Sequence, residues 1–255
     1  MADLNDERTR PGFGTSQSFT GASVPRTREV FDAGLRRHML SIYNYMASGV
    51  LLTGVVAMLV ANAGYASGPV MWLGMLGSLG VVLAMSFGRN KFSTATLQAM
   101  FWGYAVLMGM FLSSVFVIYT GASIAATFFA TAGAFAGLSL FGYTTQKDLS
   151  GMGSFLIMGV IGLLIAMVVN MFIGSQPLDY AISFLGVLIF AGLTAYDTQR
   201  LKSEYLQIQN MKITNPNAVA AYPVGKMVIL GALNLYLDFI NMFLFLLRFM
   251  GASRD

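Results

Sequence analysis

The chain has 255 residues, of which 56% are hydrophobic and only 10% are charged, and its formal net charge is +4 at pH 7. Soluble domains carry roughly 25% charged residues, so this composition excludes an ordinary water-soluble domain and indicates a protein built for lipid. The sequence contains no cysteine, which excludes disulfides, thiol catalysis and zinc–thiolate sites.

The first 34 residues are rich in Ser, Thr, Gly, Arg and Asp. Their few apolar side chains cannot offset the entropy of ordering, so residues 1–34 are predicted to be a flexible cytoplasmic tail. The membrane domain is then expected over residues 35–255. At the junction, residues 29–38 are expected to form a short interfacial helix that places His38, the lone histidine, at the membrane surface beside Arg36 and Arg37.

Apolar runs then follow one another along the chain, each close to the ~20 residues that a membrane-crossing helix needs. The seven runs are 39–61, 70–87, 99–119, 122–143, 153–173, 180–198 and 227–250. They are continuous rather than alternating, which argues against barrel strands. Glycines inside several runs permit close helix–helix contact. The predicted fold class is therefore all-α, a bundle of seven transmembrane helices.

The distribution of basic residues predicts the topology of this bundle. With the N-terminus inside, every Lys and Arg except Arg248 and Arg254 lies on the inner side. This asymmetry follows the positive-inside rule and predicts an N-in, C-out protein. It also explains the net positive charge without a nucleic-acid partner. The long inner segment that begins at Gln199 is expected to continue the sixth helix into the cytoplasm.

Two aspartates, Asp197 and Asp238, are the only acidic residues inside the apolar runs. An ionisable group within a bilayer span costs at least a few kcal/mol, so it usually faces a cavity or a partner and marks function. Because the two spans are consecutive, the carboxyl groups are expected to meet inside the bundle. The polar side chains that share their helix faces are Thr194, Thr198, Asn234 and Asn241.

The residues alone leave four interpretations of the aspartates open. Asp197 could merely reach the interface while Asp238 is a protonated, hydrogen-bonded carboxyl. The two could instead share a proton, respond to pH and line an ion route that binds Ca²⁺ transiently, since close carboxylates do not both ionise cheaply. They could also form an intramembrane aspartyl protease, or stabilise a bundle that other membrane proteins recognise.

The protease interpretation is disfavoured by the sequence itself. Tyr196-Asp197 matches the first motif of those enzymes, but Asp238 follows Leu-Tyr-Leu instead of Gly-x-Gly, and their Pro-Ala-Leu motif is absent. A single histidine and the lack of a phosphate-binding glycine loop also disfavour a hydrolase or an ATP-driven pump. We therefore expect neither an enzyme nor a resident cofactor.

Three segments together resemble one protein family. Residues 232–248 (Ala-Leu-Asn-Leu-Tyr-Leu-Asp-Phe-Ile-Asn-Met-Phe-Leu-Phe-Leu-Leu-Arg) resemble the last span of the Bax inhibitor-1 family, also called the transmembrane BAX inhibitor motif family. Residues 195–199 (Ala-Tyr-Asp-Thr-Gln) resemble its sixth-span signature, and residues 147–150 (Lys-Asp-Leu-Ser) resemble its preceding loop. The similarity extends from about Arg36 to the C-terminus.

The resemblance implies a fold in which six helices surround the last one, and a pH-sensitive Ca²⁺ leak channel in a bacterial inner membrane. Asp197 and Asp238 take the place of the family's aspartate pair, the pH sensor in the ion path. Relatives close the pore with a basic residue from the inner end of the second helix, for which Arg89 is the nearest candidate. We expect the pore to depend on pH and to be more closed at neutral pH.

The resemblance also leaves a second class of function open. The alternative is a regulator of membrane stress or protein quality control that acts through contacts with other membrane proteins or membrane proteases, without transport. In either case the expected partners include the lipid bilayer, and a channel adds Ca²⁺ and protons.

Overall fold

The computed structural model describes residues 24–214 and 224–254, with the side chains of 24–32 and 212–213 left aside. Its seven helices are α1 (Val24–Asn62), α2 (Pro69–Gly88), α3 (Thr94–Ile118), α4 (Gly121–Thr144), α5 (Ser150–Ile173), α6 (Gln176–Thr214) and α7 (Val224–Met250). All seven are long and apolar enough to cross a membrane. The predicted all-α fold is confirmed, and the chain is an integral, multi-pass membrane protein.

The chain divides into two units, Met1–Gly34 and Leu35–Asp255. In the first unit only residues 24–34 are described, and they are helical, so the predicted tail lies largely outside the described residues. A separate interfacial helix over 29–38 is absent there, because these residues belong to the continuous helix α1.

Helix α6 is 39 residues long and continues to Thr214, which confirms the predicted extension beyond Gln199. In the extension, Leu201, Tyr205 and Ile208 are buried. Their spacing of four and three residues places them on one helix face, so the extension has an apolar side that packs against the bundle.

The ends of the helices are fixed by short polar contacts. Thr120 caps α4 by accepting a hydrogen bond from the Ser123 amide at 3.3 Å, and Gly174 ends α5 with a left-handed φ of 66°. After α7 the chain returns to the α3–α4 turn, where the Thr120 amide donates to the Ala252 carbonyl at 3.2 Å. The C-terminal residues are thereby fastened to the same end of the bundle as this turn.

Helix α7 is the most buried of the seven. In its most apolar stretch 72% of the residues are buried, against 17% to 39% in the other helices. It packs against α3, α4 and α6. Glycines make room for this packing: a Cβ on Gly186 would lie 2.5 Å from the Phe245 ring. A carboxyl on α7 is therefore carried into the interior.

A buried hydrogen-bond chain fixes how α7 is rotated against α1 and α3. The Thr53 hydroxyl lies 2.8 Å from the Ala105 carbonyl and 2.7 Å from the Tyr236 hydroxyl. Thr53 has one hydrogen and donates it to the carbonyl, so Tyr236 donates to Thr53. Because Tyr236 precedes Asp238 by two residues, this chain also helps to set the direction of the Asp238 side chain.

Candidate functional site: an aspartate pair between α6 and α7

Asp238 lies in the middle of α7 and is only 4% exposed, whereas Asp197 on α6 is half-buried. Their carboxyl groups are close enough for each to influence the charge of the other. Asp238 Oδ2 has no hydrogen-bond partner among the described residues. We refer to Asp197 and Asp238 as the aspartate pair.

Two glycines, one on α4 and one on α5, allow these helices to approach the part of α6 around Asp197 closely. A Cβ on Gly142 of α4 would lie 2.2 Å from the Ala195 carbonyl oxygen. A Cβ on Gly153 of α5 would lie 2.4 Å from the ring of Tyr196. Larger residues at either position would push a helix away from α6, so these glycines position the helix segment that carries Asp197.

The polar residues predicted to support the pair have different surroundings. Thr194 and Thr198 are fully buried; Thr194 Oγ1 donates to the Phe190 carbonyl, and Thr198 Oγ1 donates to Ser139 Oγ of α4 at 3.4 Å.

The two asparagines of α7 are only half-buried. Asn241 Nδ2 donates to the Leu237 carbonyl of its own helix at 2.8 Å, and no hydrogen bond from the Asn234 side chain is found in the described part of the chain. Among the described residues, none of these four side chains forms a hydrogen bond with Asp197 or Asp238.

The cation nearest to Asp197 is Arg200, one helical turn further along α6. Its Nε is 2.8 Å from Oε1 of Glu204. Arg89, the predicted latch, is exposed at the end of α2, and the ion pairs found among the described residues do not join it to Asp197. Sequence reasoning missed Arg200, although the three-residue spacing from Asp197 on a helix was a usable signal.

A second missed residue is Gln199, whose side chain fastens the α4–α5 loop to α6. Its Nε2 donates to the Lys147 carbonyl at 2.7 Å, and its Oε1 accepts from the Leu149 amide at 2.9 Å. The only signal in the sequence was its place at the end of the sixth-span signature. Since Gln199 is two residues from Asp197, the loop and the pair are mechanically connected.

Aromatic side chains pack between α4 and α7 next to Asp238, towards the C-terminal end of α7. Phe239 packs edge-to-face on Phe128 and Phe135, with 5.6 Å between ring centroids in both contacts. Phe243 continues this packing against Phe128 at 6.3 Å. We call these four rings the aromatic plug. Phe135, Phe239 and Phe243 are buried, whereas Phe128 is 38% exposed.

His38 departs from its predicted environment. It is 5% exposed and stacks on Tyr205 with 4.6 Å between ring centroids. Neither ring nitrogen has a hydrogen-bond partner among the described residues. The extension of α6, which carries Tyr205, covers His38, so its ring packs against protein; the predicted position at the membrane surface stays a prediction.

Comparison with known proteins agrees with this architecture. The family model described as inhibitor of apoptosis-promoting Bax1 (Bax1-I) matches residues 35–255. The chain belongs to the Bax inhibitor-1 family. It is 44% identical over 237 residues to the protein RP147 of Rickettsia prowazekii, covering 89% of this chain and 94% of that protein. It is 43% identical over 228 residues to the inner membrane protein YbhL of Escherichia coli K12, covering 87% and 94%.

The donor set of this Bax inhibitor-1 protein limits the chemistry of the site. Ca²⁺ takes six to eight oxygen ligands, and two carboxylates supply at most four. Among the described residues no third acidic or histidine side chain completes a metal-binding cluster with the pair. The pair is thus suited to exchange a proton or to bind a passing cation briefly, rather than to hold a metal ion permanently.

Proposed function

We propose that this Bax inhibitor-1 protein is a passive, pH-sensitive cation leak of the bacterial inner membrane, with Ca²⁺ as its principal ion and the aspartate pair as its gate. The observation that carries the proposal is the mutual influence of two neighbouring carboxyl groups, one of them on the most buried helix. Placing Asp238 at 4% exposure is costly, and a purely structural role does not require an acid there. The naming of the relative YbhL as an inner membrane protein supports the location.

The proposed gate works through the charge of the pair. Two full negative charges about 4 Å apart repel each other by about 4 kcal/mol at an effective dielectric constant near 20. Sharing one proton removes this repulsion, so the charge of the pair changes with pH as a unit. When the proton leaves, the doubled negative charge attracts a divalent cation. Proton loss therefore draws the cation to the pair, but it also strengthens the contacts from basic residues that hold the pore closed.

Closure is proposed to depend on two further elements. The aromatic plug must separate before an ion continues past Asp238, so conduction requires α4 and α7 to move apart. Arg200 lies beside Asp197 and helps to hold it in place. Arg89 remains a proposed latch for a conformation in which the end of α2 approaches α6. These contacts favour a more closed pore at neutral pH.

Transport without catalysis is the second half of the proposal. Apart from the aspartate pair, we assign no nucleophile–base arrangement among the described residues to a reaction. The names of the two relatives do not point to catalysis. In this proposal the protein is not an enzyme and needs no cofactor. Its partners are the lipid bilayer, Ca²⁺ and protons.

The test is ion flux into liposomes that contain the purified protein, with Ca²⁺, Na⁺ and K⁺ compared at several pH values. The proposal predicts a Ca²⁺ leak that depends on pH and that changes in Asp197→Asn and in Asp238→Asn. An absence of flux in wild-type protein, together with co-purifying membrane proteins or proteases, would instead favour the regulator of membrane stress or quality control. The matched control is Asp179→Asn, which removes an acid that lies 18 residues before Asp197, near the other end of α6.

A further inference from the structure

A groove runs between α1 and α4 on the outside of the bundle. Its volume is about 530 Å³, within the range of ~300–1,000 Å³ that is usual for ligand sites. Its polar lining comes from Arg36, Tyr43, Ser139 and Tyr143, and the remaining lining residues are apolar. We call it the α1/α4 groove. It shares no residue with the aspartate pair.

The polar and apolar parts of the groove are separated along its length. Arg36 lies near the start of the membrane-crossing part of α1 and Tyr143 near the end of α4, so both are at one end of the groove. Met46 and Phe135 line its deeper part. Ten residues of helix separate Arg36 from Met46, which corresponds to about 15 Å. That length is half of the ~30 Å hydrocarbon core, the depth of one lipid leaflet.

The charge at the polar end is positive. Arg36 is exposed, and none of the described residues that line the groove is acidic. Lys202 of α6 adds a second cation next to this end, because its Nζ donates to the Tyr143 carbonyl at 2.7 Å and lies 5.3 Å above the Tyr143 ring. An anionic headgroup placed between Arg36 and Tyr143 would meet complementary charge and hydroxyl donors.

We propose that the α1/α4 groove is a binding site for one anionic glycerophospholipid. The phosphate of the lipid contacts Arg36 and the Tyr143 hydroxyl, and one acyl chain lies along the groove as far as Met46 and Phe135. The match of groove length to one leaflet and the charge at one end select this occupant. A second copy of the chain fits less well, since a symmetric contact across the groove would bring two Arg36 side chains together.

The lipid would lie one contact away from the candidate gate. Ser139 lines the groove and accepts a hydrogen bond from Thr198, which is next to Asp197 in the chain. The binding proposal does not depend on the proposed channel function, because its test measures the amount of bound lipid and not ion flux.

The test is native mass spectrometry of the purified full-length protein with phosphatidylglycerol or phosphatidylcholine of identical acyl chains. Wild type should retain phosphatidylglycerol in preference to phosphatidylcholine. Arg36→Gln should reduce phosphatidylglycerol binding about fivefold, the effect expected of one cation at a lipid surface. Arg37→Gln is the matched control, since Arg37 is an exposed neighbour that does not line the groove.

A second pair of variants tests the acyl-chain part of the site. Ala136→Trp fills the groove and should abolish the retained lipid, whereas Ala134→Trp on the same helix is outside the lining and should not. Equal losses for Arg36→Gln and Arg37→Gln, equal binding of the two lipids, or an unaffected Ala136→Trp would overturn the proposal. So would a protein dimer that Ala136→Trp dissociates. If Ala136→Trp fails to fold, the arginine variants alone decide.

Discussion

Replacing Gly142 by alanine is the substitution whose effect follows most directly from the packing of α4 on α6. The new Cβ would lie 2.2 Å from the Ala195 carbonyl oxygen, whereas ordinary contacts begin at 3.4 Å. The obstacle is backbone and not a flexible side chain, so the two helices must separate locally by about 1 Å. Overpacking of this kind costs about 1–3 kcal/mol. For a chain of this size, that corresponds to a fall in Tm of roughly 2–12 °C.

The assay is thermal unfolding of purified protein in one detergent, with Gly137→Ala as the matched control. Gly137 is on the same helix, and no described atom lies within 4 Å of the position of its Cβ. Gly137→Ala should leave Tm unchanged or raise it, because alanine is the better helix former. Equal falls in Tm for the two variants would refute the reasoning. Since Ala195 is two residues from Asp197, Gly142→Ala should also alter the pH profile of flux.

Three further predictions concern contacts away from the aspartate pair. Arg248 Nε donates to Asp179 Oδ2 at 2.8 Å in a partly exposed ion pair. A double-mutant cycle of Asp179→Asn and Arg248→Gln should therefore give a coupling energy of about 0.5–1 kcal/mol that shrinks in high salt. Additive effects of the two substitutions would contradict this prediction. Thr53→Val should lower the free energy of unfolding by about 1–3 kcal/mol, because it leaves the Tyr236 hydroxyl without an acceptor. Thr53→Ser retains the hydroxyl and should lower it by less. The reverse order in unfolding experiments would show that the hydrogen bond is unimportant. His38→Leu should keep or raise Tm, because it removes two buried nitrogens that have no hydrogen-bond partner among the described residues. A marked fall in Tm would contradict this and would reveal a partner for the imidazole.

The membrane-crossing helices were predictable because lipid imposes a simple rule. A segment must be apolar for about 20 residues and must satisfy its own backbone, so span number and helical class can be read from run length. The extension of α6 beyond Gln199 was also expected from the sequence, and the helix continues to Thr214. The acidic residues of the pair were found for the same reason, since an acid in such a run is conspicuous.

Contacts that depend on how the helices are rotated, and on which distant residues bury a side chain, were not predictable. The spacing along α6 was enough to place Arg200 near Asp197, but where the exposed Arg89 lies relative to Asp197 depends on how α2 packs against the bundle. His38 was expected at the surface because its neighbours in sequence are charged, but its burial comes from Tyr205, which is far away in the chain. The glycines of the fourth run predicted close packing, but the sequence did not show that Gly142 is the one that meets α6, whereas Gly133 and Gly137 face open space.

The central claim is that Asp197 and Asp238 act as a unit in gating. The most direct measurement is the pH dependence of Ca²⁺ flux, between about pH 6 and pH 8, for both single Asn variants and the double variant in the same liposomes. The account predicts that each single substitution removes most of the pH response and that the double variant behaves like the singles, because one carboxyl cannot share a proton with an amide. Independent, additive effects of the two substitutions, or a wild-type pH response in either single variant, would contradict the account.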